Sequence, residues 1–283
     1  MKVWGDAQQR LLPLYKQRTL FNDAPLDRAV LFIEPRKHAA FEFCILNIRN
    51  SLDWRIIVVH GTENEEFVKA ICARIVGDFT FINCGVANLP NREYNSLCMS
   101  AEFWKLMPEW VLVAQTDTMI LKSRGEASAH LEDLIAKDIK YIGAPWSYLC
   151  NACGEPLVKG CGHMIDQAII SKLKNGGNGG LSLRHVPSLL SVLKDNVLDI
   201  DLADSITKKW GKSQRVRVRG TTNEDVFFCK TLSEAGFIVA DRMTSLHFAI
   251  EQVPPFDLSV KSFGVHKPWV YLDEKLVKFL LEL

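Results

Sequence analysis

Three groups of residues have types and spacings suited to chemistry. The densest is Cys150-x2-Cys153-x7-Cys161-x-His163, three thiols and an imidazole within fourteen residues. That is the ligand set of a structural Cys3His zinc (Zn2+) site, with a closing Cys-x-His step tighter than usual; the alternative is a loop carrying reduced thiols. The second group is Glu224-Asp225, adjacent acids ahead of an apolar VFF run. Such a pair suits a general base and equally suits a helix N-terminus, where the macrodipole favours acids. The third is a series of polar clusters, each closing an apolar run: Glu34-Pro35-Arg36, His60-Gly61, Asn83-Cys84-Gly85 and Gln115-Thr116-Asp117. One polar strand end is usually a loop residue or a cap. Four in succession mark the edge of a cleft, because open parallel sheets bind ligands beyond the carboxyl ends of their strands.

These groups need a frame, and the hydropathy pattern supplies it. Residues 29–33 (AVLFI), 55–59 (RIIVV), 78–82 and 111–114 (VLVA) are apolar runs of strand length, as expected for strands buried on both faces. Between them lie helical patterns: 37–52 with Phe41, Ile45, Ile48 and Leu52 in register, 63–76 with Phe67, Ile71 and Ile75, and 91–107 with Leu97, Ala101 and Trp104. This alternation predicts an α/β fold with a Rossmann-like, mostly parallel sheet and helices on both faces. After residue 120 the rhythm loosens. Residues 141–144 and 180–184 read as strands and 147–177 as an insertion. A helix carries Leu189, Leu190 and Leu193, another begins near Glu224, and the last spans 273–283. Residues 1–28 read as a polar lead-in with one short helix around 9–16. Residues 208–222 read as a basic loop or edge hairpin. With no linker, low-complexity tract or repeat, 29–283 reads as one domain.

Composition narrows the function classes. The 34 Lys and Arg nearly cancel the 33 Asp and Glu, which excludes a nucleic-acid binder relying on bulk positive charge. With 48% apolar and 24% charged residues over 283 positions, the chain is no disordered segment and needs no disulfide or metal merely to fold. No apolar run approaches the roughly 20 residues of a membrane span, and residues 1–18 lack the apolar core of a secretory signal. The scattered cysteines suggest reduced thiols, hence a cytoplasmic setting. No glycine-rich dinucleotide fingerprint follows the first strand and no Gly-Lys-Ser/Thr loop occurs, which weighs against nicotinamide dehydrogenases and P-loop kinases.

The ordered series QTDT (115–118), GAPW (143–146), NGGLSLR (178–184), EDVFF (224–228) and HKPW (266–269), with IEPR at 33–36 and FW at 103–104, resembles an uncharacterised domain-of-unknown-function family. Members of that family look like glycosyltransferases of the GT-A type. The resemblance runs from about residue 29 to about residue 270. It implies a nucleotide-sugar donor, a glycan or protein hydroxyl as acceptor, no nucleic-acid partner, and an inverting mechanism. In GT-A enzymes a divalent ion, Mn2+ or Mg2+, sits on an Asp-x-Asp motif after the fourth strand, often with a distant C-terminal His. The resemblance implies these ligand roles for Asp117 and His266, while Gln115 stands where the first acid would be. It also implies Asp225 as general base with Glu224 as the alternative. Glu34, Arg36, His60, Gln115, Asp117 and Arg184 are then the donor candidates, and Trp146, Asn178, Gly179 and Gly180 the sugar candidates.

On the residues alone several readings stay open. Arg184 either neutralises phosphate or pairs with a carboxylate. Trp146 either stacks on a sugar or belongs to the core. Gly179 and Gly180 either let the backbone approach a sugar closely or take a positive φ. Arg215, Arg217 and Arg219 alternate like the solvated face of an edge strand. The cysteine cluster reads as an accessory staple. Two rival functions remain: a sugar-phosphate nucleotidyltransferase, whose usual glycine-rich loop is missing from IEPRKHAAF, and a degenerate GT-A fold binding glycans or proteins without catalysis, which Gln115 favours.

Overall fold

A computed structural model describes residues 2–16, 25–146, 176–195, 223–252 and 261–281. Cys150, Cys153, Cys161 and His163, and the basic segment with Arg215, Arg217 and Arg219, lie outside the described residues.

The apolar runs form a six-stranded sheet ordered β3-β2-β1-β4-β7-β6. Its strands are β1 (Arg28–Ile33), β2 (Arg55–His60), β3 (Phe79–Asn83), β4 (Trp110–Ala114), β6 (Tyr141–Ala144) and β7 (Asn178–His185). The β3-β2-β1-β4 part is parallel, while β7 runs antiparallel to both β4 and β6. Strand alternation divides the side chains between two cores. Val30, Phe32, Ile56, Val58, Leu112 and Ala114 face one; Leu31, Ile33, Ile57, Val59, Val111 and Val113 face the other. The first core is closed by α1 (Lys2–Lys16), α2 (Phe41–Ser51), α3 (Glu65–Cys72), α6 (Arg124–Ala136) and α10 (Glu274–Leu280). The second is closed by α4 (Asn91–Cys98), α5 (Ala101–Trp104), α7 (Val186–Asp195) and α8 (Glu224–Glu234). The expected mostly parallel α/β sheet with helices on both faces is therefore what the chain forms. No helix among the described residues is long and apolar enough to cross a membrane.

A second, three-stranded sheet of order β5-β9-β8 sits beside the end of β4. It consists of β5 (Thr118–Ile120), β8 (Ala249–Ile250) and β9 (Gly264–His266), with α9 (Arg242–Phe248) leading directly into β8. β5 pairs antiparallel with β9, setting Thr118 opposite His266. A Cβ at Gly264 would run into the Leu181 side chain and the Met119 carbonyl, so glycine is what lets β9 approach both neighbours.

Two helical expectations change. The lead-in is a full helix from Lys2 to Lys16, docked by buried Val3, Trp4 and Ala7. Trp4 stacks on Trp269 at 4.6 Å and meets Phe43 edge-on at 5.3 Å, partners too distant in sequence for local periodicity to signal. The single helix over 91–107 is two, because the Ser100 hydroxyl accepts the Phe103 amide and restarts the chain as a new helix. Trp104 anchors that restart by donating its indole N–H to the Cys98 carbonyl at 2.5 Å.

The docking of α1 is testable. Replacing Trp4 by alanine removes a buried ring from the first core and should lower unfolding stability by roughly 3 kcal/mol. A loss under about 0.5 kcal/mol in chemical denaturation, typical of surface changes, would show that α1 contributes no packing.

Candidate functional site

A cleft of about 140 Å³ opens between the N-termini of α4 and α8, the start of β7 and the end of β9. Asn91, Tyr94, Asn95, Gln115, Asn178, Gly179, Gly180, Asn223, Glu224, Asp225, His266 and Lys267 line it. His266 lines one part of it and Glu224 and Asp225 another, while Asp117 and Arg184 stand behind the lining as their partners.

At one end, β5–β9 pairing brings His266 Nε2 to 3.3 Å from Asp117 Oδ1. The Lys267 amide donates to the Asp117 carbonyl at 2.8 Å, extending that pairing by one bond. The His266 ring is 1% exposed and lies over Gly180, whose missing Cβ leaves room for it. Burial alone would lower the imidazole pKa, but Asp117 and Glu251 outweigh it and lift His266 to about 9. Burial likewise works against the Asp117 carboxylate, yet His266 and then Lys267 hold its pKa below the ordinary range. Despite this proximity, Asp117 Oδ1 and both His266 ring nitrogens have no aligned hydrogen-bond partner. Among the described residues no three His, Cys, Asp or Glu side chains converge to hold a metal. Asp117 and His266 converge as a pair.

At the other end, Arg184 is fully buried, its guanidinium within 6 Å of the Tyr141, Trp104 and Phe228 ring centroids at 5.3, 5.7 and 5.9 Å. Its Nη2 donates to Glu224 Oε1 at 2.8 Å and to the Gly179 carbonyl at 3.1 Å, and its Nε to Ser182 Oγ at 2.9 Å. Arg184 thus pairs with a carboxylate and is not open to phosphate. Asp225 is held by backbone: its Oδ2 accepts the Gly179 amide at 3.1 Å and its Oδ1 the Val226 amide at 2.7 Å. Burial, then the adjacent Glu224, push its carboxyl up to about 7 against those amides and Arg184. Asn95 fixes the start of α8, its Oδ1 accepting the Glu224 amide at 3.0 Å.

Gly179 and Gly180 both line the cleft, and neither takes a positive φ. A Cβ on Gly179 would strike Glu224 and Arg184, and one on Gly180 would strike His266. They make room for the site's own side chains.

The remaining candidates fall outside the cleft lining. Trp146 is 5% exposed and packs in the second core, so it is not a sugar-stacking platform. Arg36 grips Glu34 at 2.7 and 2.8 Å through two guanidinium nitrogens, and this hydrogen bonding raises the guanidinium pKa despite partial burial. Thr116 Oγ1 donates to Glu34 at 3.4 Å, linking this pair to the Gln115–Asp117 turn. His60 is 2% exposed, with Nδ1 2.8 Å from the Gly61 carbonyl. Sequence reasoning missed Asn91, Tyr94, Asn95, Asn223 and Lys267. The 91/95 spacing, which puts two amides on one helical face, was the available signal; Lys267 stood inside the HKPW segment.

Residues 82–266 match the family described as "Protein of unknown function (DUF5672)", and the chain belongs to that family. No curated protein matches it. Among solved structures, the chain is similar to mouse xyloside xylosyltransferase 1 in its apo form, with 11% identity, TM-score 0.47, and coverage of 87% of this chain and 98% of that one. It is also similar to 4-diphosphocytidyl-2C-methyl-D-erythritol synthase from Anaerococcus prevotii, with 11% identity, TM-score 0.38, and coverage of 73% and 96%.

Asp225 gives a stability test with a definite sign. A carboxyl whose folded pKa lies near 7, above the unfolded value of about 3.9, adds stability that is present below the unfolded pKa and lost as pH rises through 7. Asp225→Asn removes that dependence. The melting temperature of the variant minus that of wild type should therefore rise between pH 6 and pH 8. A difference that stays flat or falls would show that Asp225 is ionised without penalty.

Proposed function

We propose that this DUF5672 member is a nucleotide-sugar-dependent glycosyltransferase that transfers a sugar to a glycan or protein hydroxyl with inversion. One observation carries the reading: His266, paired with Asp117 just behind the lining, and Asp225, a buried carboxyl held by backbone amides and without a cationic partner among the described residues, line one polar cleft. The first end suits a diphosphate and the second a hydroxyl. This agrees with the GT-A resemblance of the QTDT, EDVFF and HKPW segments.

A divalent ion, Mn2+ or Mg2+, fits the first end. Such ions are held by one or two protein ligands and complete their shell with water and substrate phosphates, which suits a convergent pair whose facing atoms lack hydrogen-bond partners. When bound, the ion would neutralise the leaving diphosphate. Lys267, whose backbone is in the left-handed region and whose side chain is 31% exposed, supplies a further cation on the same side. Gln115 offers an amide where a second carboxylate would add negative charge.

Asp225 acts on the acceptor. Its carboxylate takes the hydroxyl proton as the acceptor oxygen bonds to the anomeric carbon and the bond from that carbon to the diphosphate oxygen breaks. Glu224 is less suited to this task, because Arg184 already engages it at 2.8 Å. The pair therefore divides the labour: Glu224 balances the buried guanidinium, and Asp225 remains to accept a proton. A pKa near 7 is close to what a general base needs at neutral pH. Asn91, Asn95, Asn178 and Asn223 line the cleft; with Asn95 Oδ1 accepting the Glu224 amide and Asn178 Oδ1 the Gly180 amide, their amide groups suit sugar hydroxyls as uncharged donors and acceptors.

The experiment pairs a panel of nucleotide sugars and Mn2+ in thermal-shift assays with release of nucleoside diphosphate from whichever donor binds. Turnover should rise with pH through about 7 as the base ionises. Asp225→Asn should lose about 10²–10⁴ in rate, with donor binding nearly unchanged. Donor binding without turnover in wild type would favour the non-catalytic reading that Gln115 supports. Near-normal turnover in Asp225→Asn would remove it as base and with it the preference for inversion. Asp117→Ala, in contrast, should abolish donor binding while leaving a folded protein.

A further inference from the structure

Glu251 follows β8 and lies outside the cleft lining. β8 runs parallel to β9 with Ala249 beside Gly264 and Ile250 beside Val265, so one further step in the same register sets Glu251 beside His266. The Glu251 side chain is fully buried, with Oε1 at 3.5 Å from His266 Nδ1 and 3.5 Å from Lys267 Nζ. Neither of its oxygens has an aligned hydrogen-bond partner.

A carboxylate withdrawn completely from water is costly unless a partner offsets it. Lys267 alone does not explain the burial, because its side chain is 31% exposed and reaches water, whereas the His266 ring is 1% exposed. Among the described residues Glu251 is the carboxylate on the Nδ1 side of the imidazole, and Asp117 the one on its Nε2 side. Histidines that ligate metals commonly donate their second ring N–H to a carboxylate, which fixes both tautomer and ring orientation.

We propose that Glu251 is a positioning residue: as a charged acceptor for the Nδ1–H of His266 it aims Nε2 at Asp117, makes the imidazole a stronger ligand and tightens the cation-binding end of the cleft. This rests on the reading of Asp117 and His266 as cation ligands. The present 3.5 Å needs to close only to about 3 Å to become a hydrogen bond. The sheet register then has a function beyond packing: the three-stranded sheet lays Glu251, His266 and Asp117 side by side from three separate parts of the sequence.

The test titrates Mn2+ alone into the full chain, following free ion by electron paramagnetic resonance, for wild type, Glu251→Gln and Glu251→Met. Melting temperatures are taken on the same samples. Glu251→Met should weaken Mn2+ binding 10–100-fold. Glu251→Gln, which keeps an acceptor but loses the charge, should weaken it several-fold. An unchanged dissociation constant in Glu251→Gln overturns the proposal even where Glu251→Met fails to fold. That result, with wild type binding Mn2+, leaves the Asp117–His266 reading standing. A wild type that binds no Mn2+ overturns both.

Discussion

A buried imidazole held between two carboxylates is the constraint around which the cleft is organised. His266 has Asp117 on one ring nitrogen and Glu251 on the other, at 3.3 and 3.5 Å, and it rests on Gly180 of the main sheet. Each contact requires a particular backbone feature. Asp117 must leave β4 just where β5 begins, β9 must lie between β5 and β8, and β7 must carry a glycine beneath the ring. The three-stranded sheet, small as it is, therefore ties the C-terminal part of the chain to the end of β4 and the start of β7, inside the main sheet.

The opposite side of the cleft is organised by a different balance. Arg184 is removed from water, and three aromatic faces with one carboxylate replace its hydration. Glu224 supplies that carboxylate. Burial makes a negative charge on its neighbour Asp225 unfavourable, and the adjacent Glu224 carboxylate adds to that cost. One buried cation thus distinguishes two adjacent acids that look alike in the sequence. The same arrangement explains why Gly179 carries no side chain, since Glu224 and Arg184 occupy that space.

How much of this was legible follows from the length of the elements. β1, β2 and β4 are long apolar runs buried on both faces, and such runs identify themselves. β5, β8 and β9 have three, two and three residues, too short for any period to register. They exist only because they pair with one another across the chain. Asp117 was visible as the polar end of a strand and His266 as part of a recognisable segment. Glu251 was not, because nothing local distinguishes it from a solvent-facing acid after an apolar run. Trp146 and Arg184 were visible as types but ambiguous in role, and their burial decided both. The N-terminal helix was under-read for a related reason, as Trp4 finds Trp269 only in the folded chain.

On the proposed function, Asp117 and His266 act as one unit on the diphosphate end of a substrate. A double-mutant cycle tests this most directly, with Asp117→Asn, His266→Gln and the double variant compared for binding of a nucleoside diphosphate in the presence of Mn2+. Residues that share one ligand couple by about 0.5–3 kcal/mol. The double variant should lose little more affinity than either single one. Losses that simply add would mean that the two side chains are near each other without working together.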